Sequence, residues 1–215
     1  MKDTAKHELG LRDIRINLNG KRLITINRTV APGCALTVMG PSGSGKSTLL
    51  AFIGGFLDPV FSAQGHVFCG SDEITNLPPH KRRAGLLFQD PLLFPHMSVG
   101  GNLMFACTSE ITDRSERRER AAEILTALDL RDYFDADPDT LSGGQKARVA
   151  LGRVLVSEPS FLLLDEPFSK LDMELRSQMR DLVFDRSRRL GLPVVLVTHD
   201  QADANAANGD VVHVE

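Results

Sequence analysis

Gly40-Pro41-Ser42-Gly43-Ser44-Gly45-Lys46-Ser47-Thr48 is the stretch on which the reading of this chain turns. It has the spacing G-x-x-x-x-G-K-[ST] of a phosphate-binding loop. The run before it, Cys34 to Met39, is apolar and strand-forming, and the run after it, Ser47 to Phe56, reads as a helix. Strand, glycine-rich loop and helix in that order are the setting the motif requires. Glycines let the backbone wrap closely around an anion. The loop N–H groups and the positive end of the following helix then point at phosphate oxygens. In this reading Lys46 lies against the terminal phosphates and the Ser47 hydroxyl ligates Mg²⁺. The bland alternative is a glycine-rich turn before a buried helix, and the surrounding strand and helix argue against it.

Upstream of the loop, Leu11 to Leu18 alternates apolar and polar residues, the period of a half-buried strand. Asn19-Gly20 is a tight-turn signal, and Leu23 to Val30 returns as a second strand. Downstream come a short strand from Gly65 to Gly70, a surface charge cluster at Lys81-Arg82-Arg83, and an apolar strand from Ala84 to Phe88. Gln89-Asp90-Pro91 ends that strand, because proline cannot continue a ladder. From Leu92 to about Thr140 the pattern becomes mostly helical, with an apolar patch at Leu92 to Met97 and a mixed-charge run at Arg114 to Arg120 that reads as a solvated helix face. This is expected to be a helical lobe inserted into the core. Leu141-Ser142-Gly143-Gly144-Gln145 opens a further helix, with Ser142 and Gln145 at capping-box spacing.

Phe161 to Leu164 is a fully apolar strand ending on Asp165-Glu166-Pro167, and Phe168 to Asp172 is a loop. Met173 to Leu190 is an amphipathic helix with Leu175, Met179, Leu182 and Val183 inward. Val194 to Val197 is another buried strand, ending on Thr198-His199-Asp200, and a short helix and a last strand at Val211 to Val214 close the series. Fully apolar strands alternating with helices predict an α/β fold: a parallel sheet covered on both faces, with an antiparallel β subdomain at the N-terminal side. Ligands of such sheets bind at the carboxyl ends of the strands. Gln89, Asp165, Glu166 and His199 all fall there.

Asp165 suits a carboxylate near Mg²⁺, and Glu166, one residue on, suits a group that orients or deprotonates an attacking water. Gln89 suits a Mg²⁺ or water ligand, and His199 a hydrogen bond to a γ-phosphate. Ser142-Gly143-Gly144 at a helix start is a second anion site. One nucleotide does not need two such sites from one chain, so two copies facing each other are expected, each capping the other's nucleotide.

A length of 215 residues, 42% hydrophobic and 25% charged, suits one α/β unit with a small inserted lobe. The formal charge of −3 offers no basic excess to attract nucleic acid. Cys34, Cys69 and Cys107 lie far apart without metal spacing and read as reduced core thiols of a cytosolic protein. Met1 to Thr4 lacks the apolar core of a leader, and no apolar run approaches the ~18 residues needed to span a bilayer.

Taken together these motifs resemble the ATP-binding cassette (ABC) ATPases over nearly the whole chain. The P-loop resembles the Walker A motif of that P-loop NTPase family, Leu141 to Gln145 its signature, and Phe161 to Glu166 its Walker B with the catalytic glutamate. Gln89 matches the Q-loop, Ser169 to Asp172 the D-loop and His199 the switch histidine. The resemblance implies a head-to-tail dimer holding two ATP molecules, with Gly40 to Thr48 of one copy facing Ser142 to Gln145 of the other. It implies membrane permease subunits docked on Phe88 to Met97, a location on the cytoplasmic face of the inner membrane, and indirectly a periplasmic binding protein. Gly40 to Gly43 and Phe168 to Asp172 resemble bacterial import ATPases of the thiamine, iron, molybdate, sulfate and polyamine type. A cassette acting in DNA repair or translation is the alternative. One departure stands out: the family stacks adenine on an aromatic near the first hairpin, where this chain has Asn17-Leu18 and no Phe, Tyr or Trp before Phe52. Modest discrimination between ATP and GTP is therefore expected.

Overall fold

The structure, a computed structural model, describes residues 7–214. The Met1 to Thr4 stretch read above for leader character lies outside them. In chain order the elements are β1 (Leu9–Leu18), β2 (Lys21–Val30), β3 (Ala35–Met39), α1 (Lys46–Gly54), β4 (Phe61–Cys69), β5 (Asp72–Glu73) and β6 (Ala84–Phe88). Then follow α2 (Val99–Ala106), α3 (Arg114–Ala127), α4 (Gly143–Val156), β7 (Phe161–Asp165), α5 (Met173–Leu190), β8 (Val194–Thr198), α6 (Gln201–Ala207) and β9 (Asp210–His213). A four-stranded sheet runs β2-β1-β4-β5 and a five-stranded sheet β6-β7-β8-β3-β9. This is the α/β class expected, with a parallel core and an antiparallel N-terminal sheet.

The chain divides into two compact units. The first holds the residues up to Leu86, Ser160–Glu166 and those from Arg180 onward; the second holds Leu87–Pro159 and Pro167–Met179. The helical stretch expected at 92–140 falls inside the second.

In the first unit the antiparallel sheet follows from alternation. Ile14, Ile16, Ile24 and Ile26 are buried while Arg15 and Thr25 face water, the period-2 pattern of a one-sided sheet. Asn19 and Gly20 both take left-handed backbone, which a two-residue turn between twisted strands demands. The parallel ladders β7·β8 and β8·β3 are apolar except at Thr37, Thr198 and Asp165, and every residue in them but Asp165 is buried. Register sets the site: Asp165 pairs with Val197 and Met39 with Thr198, so the residues that follow β3, β7 and β8 emerge at one edge.

Arg82 corrects the expected surface cluster. It is 7% exposed, and its guanidinium donates to the carbonyls of Phe52, Ile53, Leu77 and Thr75. Two of those are last-turn carbonyls of α1, where a cation also meets the negative end of the helix. Gly55 has no side chain there because a Cβ would collide with that guanidinium. Cys34 is likewise exposed and Cys69 half-buried, leaving Cys107 as the buried thiol of the three. Cys34 sits ahead of β3, in the turn after Gly33, rather than within the strand.

The second unit packs α2, α3 and α4 around Val99, Leu103, Ala121, Leu125, Val149 and Val156. Helix α3 starts after Asp113, whose Oδ1 accepts from the Glu116 N–H. Its charged run keeps Arg114, Arg118 and Glu119 in water, as expected. Among the described residues no helix is long and apolar enough to cross a membrane.

Candidate functional site

Lys46 opens α1 and folds back into the loop that precedes it. Its Nζ donates to the carbonyls of Gly40 and Pro41, both at 2.7 Å, and the side chain is buried. Gly43 and Gly45 take left-handed backbone, with φ of +84° and +89°, which β-carbons disfavour. Gly45 caps α1 without any side-chain hydrogen bond, so the first N–H groups of the helix have no side-chain acceptor. The Ser44 hydroxyl is buried with no hydrogen-bond partner among the described residues. A Cβ on Gly40 would strike the Val214 carbonyl and crowd that hydroxyl. Uncapped amides, an orphan hydroxyl and an ammonium curled inside one loop are a donor set shaped for a multiply charged oxyanion. The residues present fit a nucleotide phosphate chain.

Asp165 ends β7 beside this loop, and the Ser47 hydroxyl donates to its Oδ1 at 3.0 Å. Burial pushes the Asp165 carboxyl above the ordinary carboxylate range; the Ser47 hydrogen bond pulls it down, Glu166 pushes it up and Lys46 pulls it down. Among the described residues no group of three or more His, Cys, Asp and Glu could hold a metal by itself. Ser47 and Asp165 instead offer two oxygens, the partial set that suits a hard cation completed by water and phosphate.

Glu166 has left-handed backbone, φ +45°, while its N–H donates to the Val197 carbonyl of the neighbouring strand. Glu166 Oε1 lies 3.2 Å from His199 Nδ1. A strained residue in a site of this kind is what a functional constraint looks like. Ser47, Asp165, Glu166 and His199 are thereby linked across α1, β7 and β8 within one unit, with the Lys46 charge acting on Asp165.

Sequence reasoning missed what holds His199. Thr198 Oγ1 donates to Asp203 Oδ2 at 2.8 Å and accepts from the Asp200 N–H. Asp203 is buried and its other oxygen lies 3.3 Å from Arg180 Nε on α5. The signal was available only weakly: an acid at the fifth position after a strand-ending Thr also fits an ordinary helix first turn.

In the second unit, Gln89 is exposed just past β6. Ser142 caps α4: its Oγ accepts from the Gln145 N–H at 3.3 Å, and the Gln145 Oε1 accepts from the Ser142 N–H at 2.9 Å. This is the capping box that the spacing predicts. Gly144 is buried where a Cβ would meet Leu175 at 2.5 Å, whereas a Cβ on Gly143 would meet nothing within 4 Å. Gln89, Gly143, Lys146, Lys170 and Leu171 share the lining of one cavity of about 160 Å³, and Lys170 Nζ pairs with Asp90. No sequence pattern announced that the Gln89 loop, the α4 start and the loop after β7 meet around one space.

A family model described as ABC transporter matches residues 23–169. The match takes in the glycine loop, Gln89, Ser142–Gln145 and Asp165-Glu166, and ends before His199. An uncharacterized ABC transporter ATP-binding protein of Escherichia coli, YnjD, is 45% identical over 199 residues, 92% of this chain and 91% of that protein. The diacetylchitobiose uptake system ATP-binding protein MsiK of Streptomyces coelicolor is 43% identical over 175 residues, 81% of this chain and 46% of its own. The Fe(3+) ions import ATP-binding protein FbpC 1 of Haemophilus influenzae is 37% identical over 195 residues, 90% of this chain and 58% of its own. The chain thus spans nearly all of the first relative and about half the length of the other two.

Proposed function

The chain belongs to the ABC transporter family as an ATP-hydrolysing subunit, and from that premise we propose that it powers solute import by closing and reopening a pair of its own copies around ATP. Import is carried over from relatives named for uptake and import systems. The partners are a second copy of this chain, membrane permease subunits seated on Phe88 to Met97 and, through these, a periplasmic binding protein. The subunit would work at the cytoplasmic face of the inner membrane.

The observation that carries the reading is the linked set at the ends of β7 and β8, Ser47–Asp165 and Glu166–His199, beside an uncapped helix start. The amides of Gly43 to Ser47, the Ser44 hydroxyl and Lys46 hold the phosphate chain. To bind it, the Lys46 ammonium exchanges the Gly40 and Pro41 carbonyls for phosphate oxygens, a swap that keeps its charge compensated. Ser47 and Asp165 would hold Mg²⁺, which supplies charge neutralisation across the terminal phosphates. Glu166 accepts the proton of the attacking water. His199, set by the Thr198–Asp203–Arg180 network, orients Glu166 and donates toward the γ-phosphate. Ser142, Gly143, Gly144 and Gln145 of the second copy complete the phosphate cradle with α4 amides.

The experiment is Glu166→Gln. Removing a general base costs about 10²–10⁴-fold in turnover while leaving ground-state contacts in place. The variant should therefore hold ATP and accumulate as a nucleotide-bound dimer on size-exclusion chromatography with light scattering. Wild-type hydrolysis by the variant, or a nucleotide-bound form that stays monomeric, overturns the reading.

A further inference from the structure

The loop from Leu92 to Met97 carries apolar side chains into water. Leu92 is 58% exposed, and Phe105, whose ring meets Phe94 edge-on at 5.1 Å, is 61% exposed. Exposed apolar clusters of this kind mark contact surfaces. A loop without regular structure would lose conformational freedom on docking, at about 1–2 kcal/mol for each residue ordered. This loop is already ordered, and by two side chains from two helices.

Asn102, in the first turn of α2, is fully buried. Its Oδ1 accepts from the Phe94 N–H at 2.8 Å, and its Nδ2 faces the carbonyls of Phe94, Met97 and Ser98 at 3.1, 3.3 and 3.0 Å. One amide side chain thus bonds one N–H and three carbonyls of a five-residue turn that its own Met97 N–H to Phe94 carbonyl bond also closes. Arg153, from the last turn of α4, donates to the Leu92 carbonyl at 2.6 Å and the Pro91 carbonyl at 3.0 Å. Its guanidinium also lies 5.5 Å from the centre of the Phe94 ring. Leu92 has left-handed backbone, φ +47°, a conformation that costs a non-glycine residue on the order of 1 kcal/mol or more. The strain is spent on the most exposed apolar residue of the loop, at the carbonyl Arg153 grips.

We infer that Asn102 and Arg153 are positioning residues that hold the Leu92–Met97 loop in its docked shape, so that a cytosolic loop of the membrane permease meets a preformed surface. The inference rests on the docking reading given above. The hydrogen bonds of both side chains go to the backbone of Pro91 to Ser98, which assigns both to coupling rather than to hydrolysis itself. Preorganisation of this kind raises affinity by removing the ordering cost from the docking step.

The test compares wild type, Asn102→Asp, Arg153→Gln and Arg153→Lys as full-length purified chains. Asp can still accept from Phe94 N–H but cannot donate to the three carbonyls. Three readouts are taken: ATP turnover alone, amide exchange over 92–98, and turnover with urea-stripped membranes of the source cell as the permease probe. Asn102→Asp and Arg153→Gln should keep turnover alone within about twofold. They should exchange the loop amides about tenfold faster and lose about fivefold or more of the membrane stimulation. Arg153→Lys, which retains the charge and most of the reach, should fall between. Unchanged exchange, or full stimulation from a loosened loop, overturns the inference alone. If wild type is indifferent to the membranes, or Leu92→Asp is stimulated as wild type is, the docking reading falls and this inference with it. Should Asn102→Asp fail to melt cooperatively, Arg153→Gln decides by the same outcomes.

Discussion

Two helix starts in this molecule carry glycine-rich loops, and they are built in opposite ways. At α1 the cap is Gly45 in left-handed backbone with no side-chain bond, so the first amides face outward without an acceptor of their own. At α4 the cap is Ser142, and with Gln145 it closes a reciprocal pair of hydrogen bonds on its own amides. The first start is a complete anion receptor in one chain, with Lys46 already inside it. The second is a self-satisfied helix end that must open part of its capping box to receive a phosphate. On the proposed reading the contrast separates the two roles: α1 would bind nucleotide unaided, and α4 would contribute only once a second copy has brought the nucleotide to it.

Replacement of Lys46 by Ala should have the largest effect. It removes three charge-bearing donors from the receptor that works alone, and hydrolysis should fall by about 10³-fold, with nucleotide affinity falling too, in titration calorimetry. Near-normal affinity would remove the asymmetry between the two starts. Gly143→Ala should come next and sharpens the contrast most. An added methyl meets nothing within 4 Å in the chain, so the melting curve should match wild type. Turnover should still drop by about tenfold or more if, as proposed, a second copy's phosphate approaches α4 where that methyl would stand. Normal turnover would mean that α4 caps nothing but itself.

Asp165 gives a prediction in pH. Burial raises its carboxyl pKa, so the folded chain holds that proton more tightly than the unfolded chain. Stability from this group is therefore gained as pH falls through the raised folded value toward the unfolded value of about 3.9, and is absent above it. At neutral pH Asp165→Asn should raise the melting midpoint of the nucleotide-free chain, an advantage that fades below about pH 4. The same change should abolish Mg²⁺-dependent turnover. A lower midpoint at neutral pH would show that the carboxylate is stabilised rather than strained where it sits. The smallest effect belongs to the base. Leu18→Tyr should tighten ATP binding by about fivefold, the worth of one stacking contact, with GTP gaining alike. A wild-type preference above about a hundredfold for ATP would show that another part of the chain already reads adenine.

Much of this was legible in the residues because it is local. The glycine loop, the Ser142–Gln145 box and the Asn19-Gly20 turn each depend on neighbours within a few positions, and the structure has them where spacing put them. The apolar strands announced a covered parallel sheet for the same reason. Arg82 was not legible. A basic triplet reads as surface, and only the packing of the Thr75 and Leu77 carbonyls against the end of α1 makes a guanidinium pocket in the interior. Arg180 and Asp203 were hidden in the same way, since a buried ion pair joins residues 23 positions apart on different helices and leaves no period behind. Asn102 read as an ordinary helix residue, although its side chain serves the turn eight residues before it.

What the sequence determined alone is the class of chemistry: a loop whose glycines and lysine can hold phosphate, acids at strand ends, and the parallel sheet that presents them. Those follow from short-range geometry, where residue type dictates backbone freedom and hydrogen-bonding capacity. What only the tertiary structure decided is the pairing: Ser47 with Asp165, Glu166 with His199, Arg82 with the α1 carboxyl end, and Asn102 and Arg153 with the Leu92 loop. Side-chain partners across long sequence separations are selected by how strands register and helices pack, and that is a property of the folded chain as a whole.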